Sequence, residues 1–237
     1  MLLQLCVTGN LHQERNVSLH YFGFAVELSL NKRSVITLFS HQNSIYSHLV
    51  RIAMAEKSLE SEIVEVESDK ISSELIEYNP YGVIPTLVDR DLVVYTPDII
   101  IEYLDERFPH PPLMPAYPVA RAETRLFIYR IVQDWYSLAD RIVANAKDEE
   151  ARRDLHDTLI SSTEAVSSTQ FFMNDEFSIL DCYVAPLLWR LPEFRIELEG
   201  VAGKHWQRYM KEVFARNTFK KSLTNYEIYR RTQILGV

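Results

Sequence analysis

The stretch FPHPPLMPAYP, residues 108–118, divides this chain of 237 residues into two unlike halves. It holds five of the ten prolines in the protein. Each proline fixes φ and lacks a backbone N–H, so the stretch is not expected to form a helix. It is typical of a stiff, extended connector. We therefore predict a proline-rich linker over residues 109–118, called the elbow, between one domain at 31–108 and a second at 119–237.

Strand and helix patterns alternate before the elbow. The predicted elements are strands at 34–39, 62–66, 85–89 and 92–95 and helices at 44–57, 70–78 and 97–104. The last two strands flank Arg90-Asp91, the length of a tight hairpin. The third helix begins at Thr96-Pro97, with a capping hydroxyl and a proline in its first turn. The order is β-α-β-α-β-β-α, which predicts a mixed sheet.

Every pattern after the elbow is helical. The predicted helices cover residues 119–146, 149–168, 178–191 and 202–214. Ser178 and Asp181 have the spacing of a capping box, which satisfies two backbone donors at the start of a helix. Lys220-Lys221 and Arg230-Arg231 are interpreted as solvated charges or as a floppy basic tail available to a partner.

Residues 1–30 have neither helical nor strand periodicity. They are interpreted as a flexible tail, as an added strand near Phe22–Leu28, or as upstream sequence from a misassigned start codon. We favour a poorly anchored extension.

The acidic charge balance argues against several classes of function. The chain has 33 acidic and 25 basic residues, a formal net charge of −8, so direct nucleic-acid binding is not expected. The arginines of the helical half are expected on solvated faces or in pairs within a helix: Arg121, Arg125, Arg130, Arg152 and Arg153. Two distant cysteines fit a reducing cytoplasm, and no apolar run is long enough to span a membrane. We expect a soluble cytoplasmic protein.

No motif predicts a metal ion or another cofactor. His41 and His48 have no acidic or cysteine partner at ligand spacing. P-loop, nucleophile-elbow and HExxH motifs do not occur in the sequence. Cys182 lies on an apolar helix face, where a small buried thiol is usual.

Two short motifs resemble those of glutathione transferases. Ile84-Pro85 within NPYGVIPTLVD (79–89) is similar to that family's cis-proline loop before the third strand, and Ser178–Asp181 resembles its capping motif. The resemblance implies an α/β plus all-α fold. In it, a thioredoxin-like domain at 31–108 is followed by a helical domain at 119–237.

Longer strings resemble the stringent starvation protein A family within that superfamily. The strings are NKRSVITLF (31–39), YSHLVRIAMAEK (46–57), IPTLVDRDL (84–92), EYLDERFPHPPLMPAYPVAR (102–121) and DCYVAPLLWRLP (181–192). Members of this family are bacterial regulators bound to RNA polymerase. The resemblance implies the RNA polymerase holoenzyme, with its sigma factor, as a partner. The resemblance to glutathione transferases implies a homodimer.

The same resemblance implies a polymerase-binding surface. In that family the stretch matching Pro109, His110 and Pro111 is exposed and contacts the holoenzyme. We expect Tyr117 to add an aromatic contact of the kind common at interface hot spots. A rigid linker without a partner is the alternative for this stretch.

The glutathione site of the related enzymes is expected to be inactive here. Ser44 matches their thiol-activating position, where it either donates to a thiolate or caps the helix. The enzymes carry Glu-Ser, which binds the γ-glutamyl end, where this chain has Thr96-Pro97. Pro97 offers neither hydroxyl nor N–H, and each charge-assisted hydrogen bond that is lost costs roughly 1.5–3 kcal/mol.

The sequence therefore predicts a non-enzymatic regulator that binds RNA polymerase through a protein surface. Two alternatives stay open. One is a glutathione-dependent transferase or isomerase that uses Ser44 and the Ile84-Pro85 loop. The other is an adaptor with a vestigial fold and a different partner.

Overall fold

A four-stranded mixed sheet is the first structure in the computed structural model, which describes residues 35–67 and 72–236. The strands are β1 (Ile36–Ser40), β2 (Ser61–Glu65), β3 (Thr86–Asp89) and β4 (Leu92–Tyr95), in the spatial order β2-β1-β3-β4. β1 is parallel to β2 and antiparallel to β3, and β3 and β4 form the predicted hairpin. The mixed sheet is confirmed. The extension predicted over residues 1–30 lies outside the described residues.

Three helices complete this half: α1 (Ile45–Glu56), α2 (Ser73–Tyr78) and α3 (Pro97–Arg107). The predicted β-α-β-α-β-β-α order is confirmed. Most of α1 is buried, because it packs against α3 on one side and against the helical half on the other. Ser72 caps α2 by accepting from the Leu75 N–H at 3.1 Å. The first residues of the predicted second helix, Lys70 and Ile71, lie outside the described ranges.

The half after the elbow is helical throughout, as predicted, but its elements are shorter and more numerous. The helices are α4 (Pro118–Arg130), α5 (Ser137–Ala144), α6 (Glu149–Ser161), α7 (Glu164–Ser167), α8 (Ile179–Trp189), α9 (Leu191–Phe194), α10 (Gly200–Ala215), α11 (Asn217–Ser222) and α12 (Asn225–Leu235). A π-helical segment, Ile131–Tyr136, joins α4 to α5 within the single helix predicted over 119–146. None of the helices in the described ranges is long and apolar enough to cross a membrane.

The first residues of α8 are buried within the helical half. The predicted capping box is confirmed, with the Ser178 N–H donating to the Asp181 carboxylate at 2.8 Å. The same carboxylate accepts from the Phe172 N–H at 2.9 Å and from the Tyr209 hydroxyl at 2.8 Å. Burial raises the pKa of Asp181 to about 6, against these hydrogen bonds. Cys182 is fully buried, as predicted, and burial raises the pKa of its thiol.

Of the two interpretations of the last basic residues, the floppy tail is wrong, whereas Lys220 and Lys221 are exposed, as solvated charges would be. Lys220 and Lys221 lie in α11, and the last basic pair lies in α12. Arg230 donates to Glu193 at 3.1 Å, and the Arg231 guanidinium lies 4.2 Å from the centre of the Trp189 ring. These contacts hold α12 against the rest of the helical half.

Arg152 forms one of the expected pairs within a helix, with Glu149, but it is buried and does not lie on a solvated face. Arg152 donates from Nε to the Phe194 carbonyl at 2.8 Å and also donates to the Ala146 carbonyl and to Glu149. Its guanidinium therefore links the carboxyl-terminal ends of α5 and α9.

Candidate functional site

The elbow presents its distinctive side chains to solvent. Pro109, His110 and Pro111 are exposed. The Tyr117 side chain is 79% exposed, an unusual value for an aromatic residue. The four residues that the sequence singles out for a partner are thus all accessible.

A buried ion pair anchors the elbow from below. The Lys57 ammonium lies 2.6 Å from the Asp105 carboxylate, and both residues are less than a tenth exposed. Lys57 also donates to the Pro111 carbonyl. The Asp105 carboxylate in turn accepts from the N–H groups of Leu113 at 2.7 Å and Met114 at 3.2 Å. One charged pair therefore fixes the backbone over residues 111–114.

A second contact ties the elbow to the helical half. The Ile179 N–H, in the first turn of α8, donates to the Leu113 carbonyl at 2.9 Å. Leu113 and Met114 are buried in the apolar core. The elbow is therefore held by hydrogen bonds on one side and by packing on the other.

The conformation of the elbow differs in two ways from the prediction. The peptide bond between His110 and Pro111 is cis, so the stretch is not extended throughout. Pro118 begins α4, although no helix was expected before residue 119. Proline is compatible with the first helical position because the N–H there has no intrahelical acceptor.

A cavity of about 630 Å³ lies beside the elbow. Residues of the elbow, of α4 and of the segment before α8 line it. Its charged side chains are four acids and one arginine: Asp105, Glu106, Arg121, Glu123 and Glu176. The surroundings of the elbow are therefore acidic.

Four of the five residues that match the glutathione site, but not Ser44, lie in a separate, mainly aromatic and apolar cleft of about 380 Å³, called the Thr96 cleft. Ile84, Pro85, Thr96 and Pro97 line it, and the bond between Ile84 and Pro85 is cis, as the resemblance implied. The remaining lining residues are Tyr46, Tyr81, Val83 and Tyr95. A tripeptide with charged ends would find no charged side chain among these residues.

Thr96 does not cap α3 with its hydroxyl, so that prediction is wrong. The residue has φ of 73° and makes no side-chain capping bond. Positive φ is unfavourable for a β-branched residue because Cβ crowds the backbone. In this sparsely populated conformation the Thr96 carbonyl accepts from the Ile100 N–H at 3.1 Å, but the side chain makes no bond to α3.

Ser44 serves as the N-cap of α1. Its hydroxyl oxygen accepts from the Ser47 N–H at 3.2 Å. The neighbouring Tyr46 hydroxyl donates to Asp140 at 2.6 Å, and burial followed by this hydrogen bond raises the Tyr46 pKa. A hydroxyl with a raised pKa is a poor activator of a thiol.

The two histidines considered as metal ligands have separate roles. His48 is fully buried, within 3.1 Å of both Ser222 and Arg190, and burial lowers its pKa well below the usual value. The His41 imidazole accepts from the Asn43 N–H at 3.2 Å. In the described part of the chain, no three His, Cys, Asp or Glu residues are grouped to hold a metal ion.

Sequence reasoning missed a buried network of charges next to His48. Arg51 donates to Glu227 at 2.7 Å and to the Ser222 carbonyl at 2.8 Å, and Arg190 donates to the same Glu227. Glu227 also accepts from the Thr224 N–H at 2.9 Å as part of a capping box. The Thr-x-x-Glu spacing at 224–227 was a readable signal for this last contact.

The fold defines the class of protein to which this chain belongs. The family model for the glutathione S-transferase N-terminal domain matches residues 34–106, and that for the C-terminal domain matches residues 123–217. The crystal structure of a tau-class glutathione S-transferase from mango superposes with a TM-score of 0.72 at 21% identity, over 86% of this chain and 99% of that one. The chain has the glutathione S-transferase fold.

Relatives in sequence narrow the assignment. A stringent starvation protein A homologue from Haemophilus ducreyi is 49% identical over 199 residues, which cover 83% of this chain and 93% of the relative. A homologue of the same name from Pasteurella multocida is 47% identical over 195 residues, covering 81% and 92%. This chain belongs to the stringent starvation protein A family.

Proposed function

We propose that this protein is a cytoplasmic transcription regulator that binds the RNA polymerase holoenzyme through its elbow and lacks glutathione transferase activity. The observation that carries the proposal is the exposed Pro109–Pro111 corner above the buried pair of Lys57 and Asp105. Membership of the stringent starvation protein A family is consistent with it.

A fixed corner of this kind suits protein recognition. Ordering a flexible loop on binding costs free energy, and the anchor below the elbow removes much of that cost beforehand. Prolines and an imidazole then meet the partner in a single arrangement. Tyr117 adds a large, exposed aromatic surface at the other end of the elbow.

The Thr96 cleft supports the absence of transferase activity. Pro97 has no N–H for the γ-glutamyl carboxylate, and Thr96 has no charge for its ammonium. Losing two charge-assisted hydrogen bonds would weaken glutathione binding by about a hundredfold or more. The cleft keeps its cis proline but not the groups that hold a charged tripeptide.

An exposed apolar face supports the homodimer. Val119, Leu126 and Tyr129 recur along one face of α4 and are each more than half exposed, and Ile99 on α3 is 58% exposed. Arg125 bridges the two helices through a bidentate pair with Glu102, at 2.7 and 2.9 Å. Contiguous apolar patches of this kind mark interfaces. We propose that a second copy covers this face.

A pull-down tests the proposal. Tagged protein is incubated with bacterial lysate, and captured polymerase subunits are identified beside a parallel glutathione-resin experiment. Replacing Pro109, His110 and Pro111 with Ala is expected to abolish polymerase capture while leaving the fold and the dimer intact. The matched control is Pro80→Ala with His156→Ala, which removes an exposed proline and a histidine elsewhere.

The outcomes separate the candidate functions. Polymerase capture by the folded triple variant would place the contact outside the elbow. Retention on glutathione resin without polymerase capture would favour the transferase or isomerase, with Ser44 at its centre.

A further inference from the structure

A third cavity, of about 530 Å³, lies at the amino-terminal end of α1 and is separate from the elbow. Ser44 and Tyr46 line one side, and residues that end α5 and follow α8 line the other. It is distinct from the Thr96 cleft, with which it shares Tyr46.

The charged side chains around this cavity are mostly basic. Four arginines line it: Arg152, Arg190, Arg195 and Arg230. The two lining carboxylates already have partners, because Asp140 accepts from the Tyr46 hydroxyl at 2.6 Å and Glu193 accepts from Arg230 at 3.1 Å. With four arginines and two carboxylates, the lining carries an excess of positive charge, although Arg152 also pairs with Glu149 outside the cavity.

Arg190 contributes a buried charge that is only partly compensated. It is 3% exposed, and it shares the Glu227 carboxylate with Arg51. His48 contacts the same Glu227 carboxylate. Burial and the charges of the two arginines lower its pKa, so its imidazole is neutral. Two buried guanidinium groups thus face one carboxylate, and an uncompensated buried charge is costly.

Two of the arginines that line this cavity each have one unpaired donor. Within the described ranges, Nε of Arg190 and Nε of Arg230 are buried and lack a hydrogen-bond partner. Buried polar atoms in native proteins are nearly always satisfied, so two unpaired guanidinium N–H groups behind one cavity wall are unusual.

The amino-terminal end of α1 adds to the positive potential of this cavity. The first N–H groups of a helix have no intrahelical acceptor, and those of Ile45 and Tyr46 open this 12-residue helix. Burial, followed by the charge of Arg51, lowers the pKa of His41, which also lines the cavity. The arginines and the amino-terminal N–H groups of α1 favour a negatively charged occupant.

We propose that this cavity binds the phosphate group of a small metabolite and serves as a ligand site of the protein. A phosphate dianion offers oxygens in several directions, whereas a carboxylate is satisfied by one bidentate guanidinium. Arginines from α6, from the end of α8, from the segment after α9 and from α12 surround the cavity. That arrangement suits the larger, multivalent anion.

Inorganic phosphate is the probe for the test. Calorimetric titration and thermal unfolding are measured with phosphate, with citrate, and with sodium chloride at matched ionic strength. We expect saturable phosphate binding and a rise in Tm of about 3–5 °C at ten times the dissociation constant. Citrate binding without phosphate binding would overturn the assignment to phosphate. An equal effect of sodium chloride would overturn the site altogether.

A matched pair of variants locates the binding. The Arg195 side chain is exposed and makes no hydrogen bond within the described residues, so Arg195→Gln is expected to leave the fold intact. It should weaken phosphate binding at least about tenfold. The control Arg153→Gln removes an exposed arginine of α6 outside the cavity and should bind phosphate like the unmodified protein.

The same two variants can also contradict the proposal. Equal phosphate affinity in Arg195→Gln and Arg153→Gln would show that phosphate binds elsewhere. Unfolding of each variant without phosphate, followed by circular dichroism, confirms that both are folded. None of these measurements involves polymerase, so they succeed or fail independently of the proposed function.

Discussion

The elbow and the Thr96 cleft are both built around a cis proline, yet only the elbow has charged groups beneath its backbone. In the elbow, Asp105 and Lys57 bind three backbone groups of residues 111–114. In the cleft, Thr96 has positive φ without a capping bond, and Pro97 has no donor. A backbone shape can therefore remain where its binding chemistry is missing. The elbow combines a fixed shape with accessible side chains.

The largest expected effect comes from removing the anchor of the elbow. Asp105→Ala leaves the Lys57 ammonium buried and unpaired and releases the Leu113 and Met114 N–H groups. We expect it to lower the free energy of unfolding by about 3–5 kcal/mol, measured by urea titration. Glu106→Ala is the control, since Glu106 is exposed and forms only a surface pair with Arg121. Equal stability of the two variants would show that the anchor contributes nothing.

The second prediction concerns the capping carboxylate of α8, which supports the elbow through Ile179. Because the pKa of Asp181 is about 6 in the folded protein and near 3.8 in the unfolded chain, the folded state holds its proton longer. This residue's contribution to stability is therefore complete below pH 4 and is lost as the pH rises through 6. The loss amounts to about 3 kcal/mol.

Unfolding between pH 4 and pH 7 checks this sign. The difference in stability between the protein and Asp181→Asn is expected to change by about that amount, with the protein losing more as the pH rises. A difference that is constant with pH would mean that Asp181 titrates normally.

The third prediction restores the missing chemistry of the cleft. Thr96→Glu with Pro97→Ser supplies the charge, hydroxyl and N–H that the related enzymes use. We expect glutathione affinity to rise by about tenfold to a hundredfold, measured by calorimetry. Thr96→Glu with Pro97→Ala is the control that restores the N–H without the hydroxyl, and it should gain less. No gain in either variant would mean that another feature closes the cleft.

The smallest expected effect concerns the backbone of the cleft alone. Thr96→Gly removes the Cβ that crowds the backbone at φ of 73°, and no capping bond is lost. We expect the free energy of unfolding to rise by about 1 kcal/mol, with polymerase capture unchanged. A loss of stability would show that the threonine side chain packs favourably enough to outweigh its strained backbone.

Local patterns predicted most of the fold. The hairpin around Arg90-Asp91 and the capping box at Ser178 depend on neighbouring residues, so the sequence shows them directly. The π-helical segment, α11 and α12 were not predicted, although the Thr224–Glu227 capping box marks the start of α12. Their stability depends on contacts with distant residues, such as that of Arg231 with Trp189, which periodicity does not record.

The sequence predicted only the exposed residues of the candidate site, not the buried residues that support them. The prolines of the elbow and the substitution at Thr96-Pro97 are visible in the sequence. The buried pair of Lys57 and Asp105 joins residues 48 positions apart. Lysine and aspartate are mostly exposed, so a single sequence gives no reason to bury and pair these two. The arginines around the third cavity were hidden for the same reason.

The position of Glu227 has a consequence for synthesis of the protein on the ribosome. Arg51 and Arg190 emerge from the ribosome well before Glu227, the carboxylate that compensates them in the finished fold. A nascent chain that stops before residue 227 must therefore either bury two guanidinium groups without this carboxylate or leave the junction of α1 and α8 open. Docking of α12 supplies the missing carboxylate, so the charges at this junction are compensated late in synthesis.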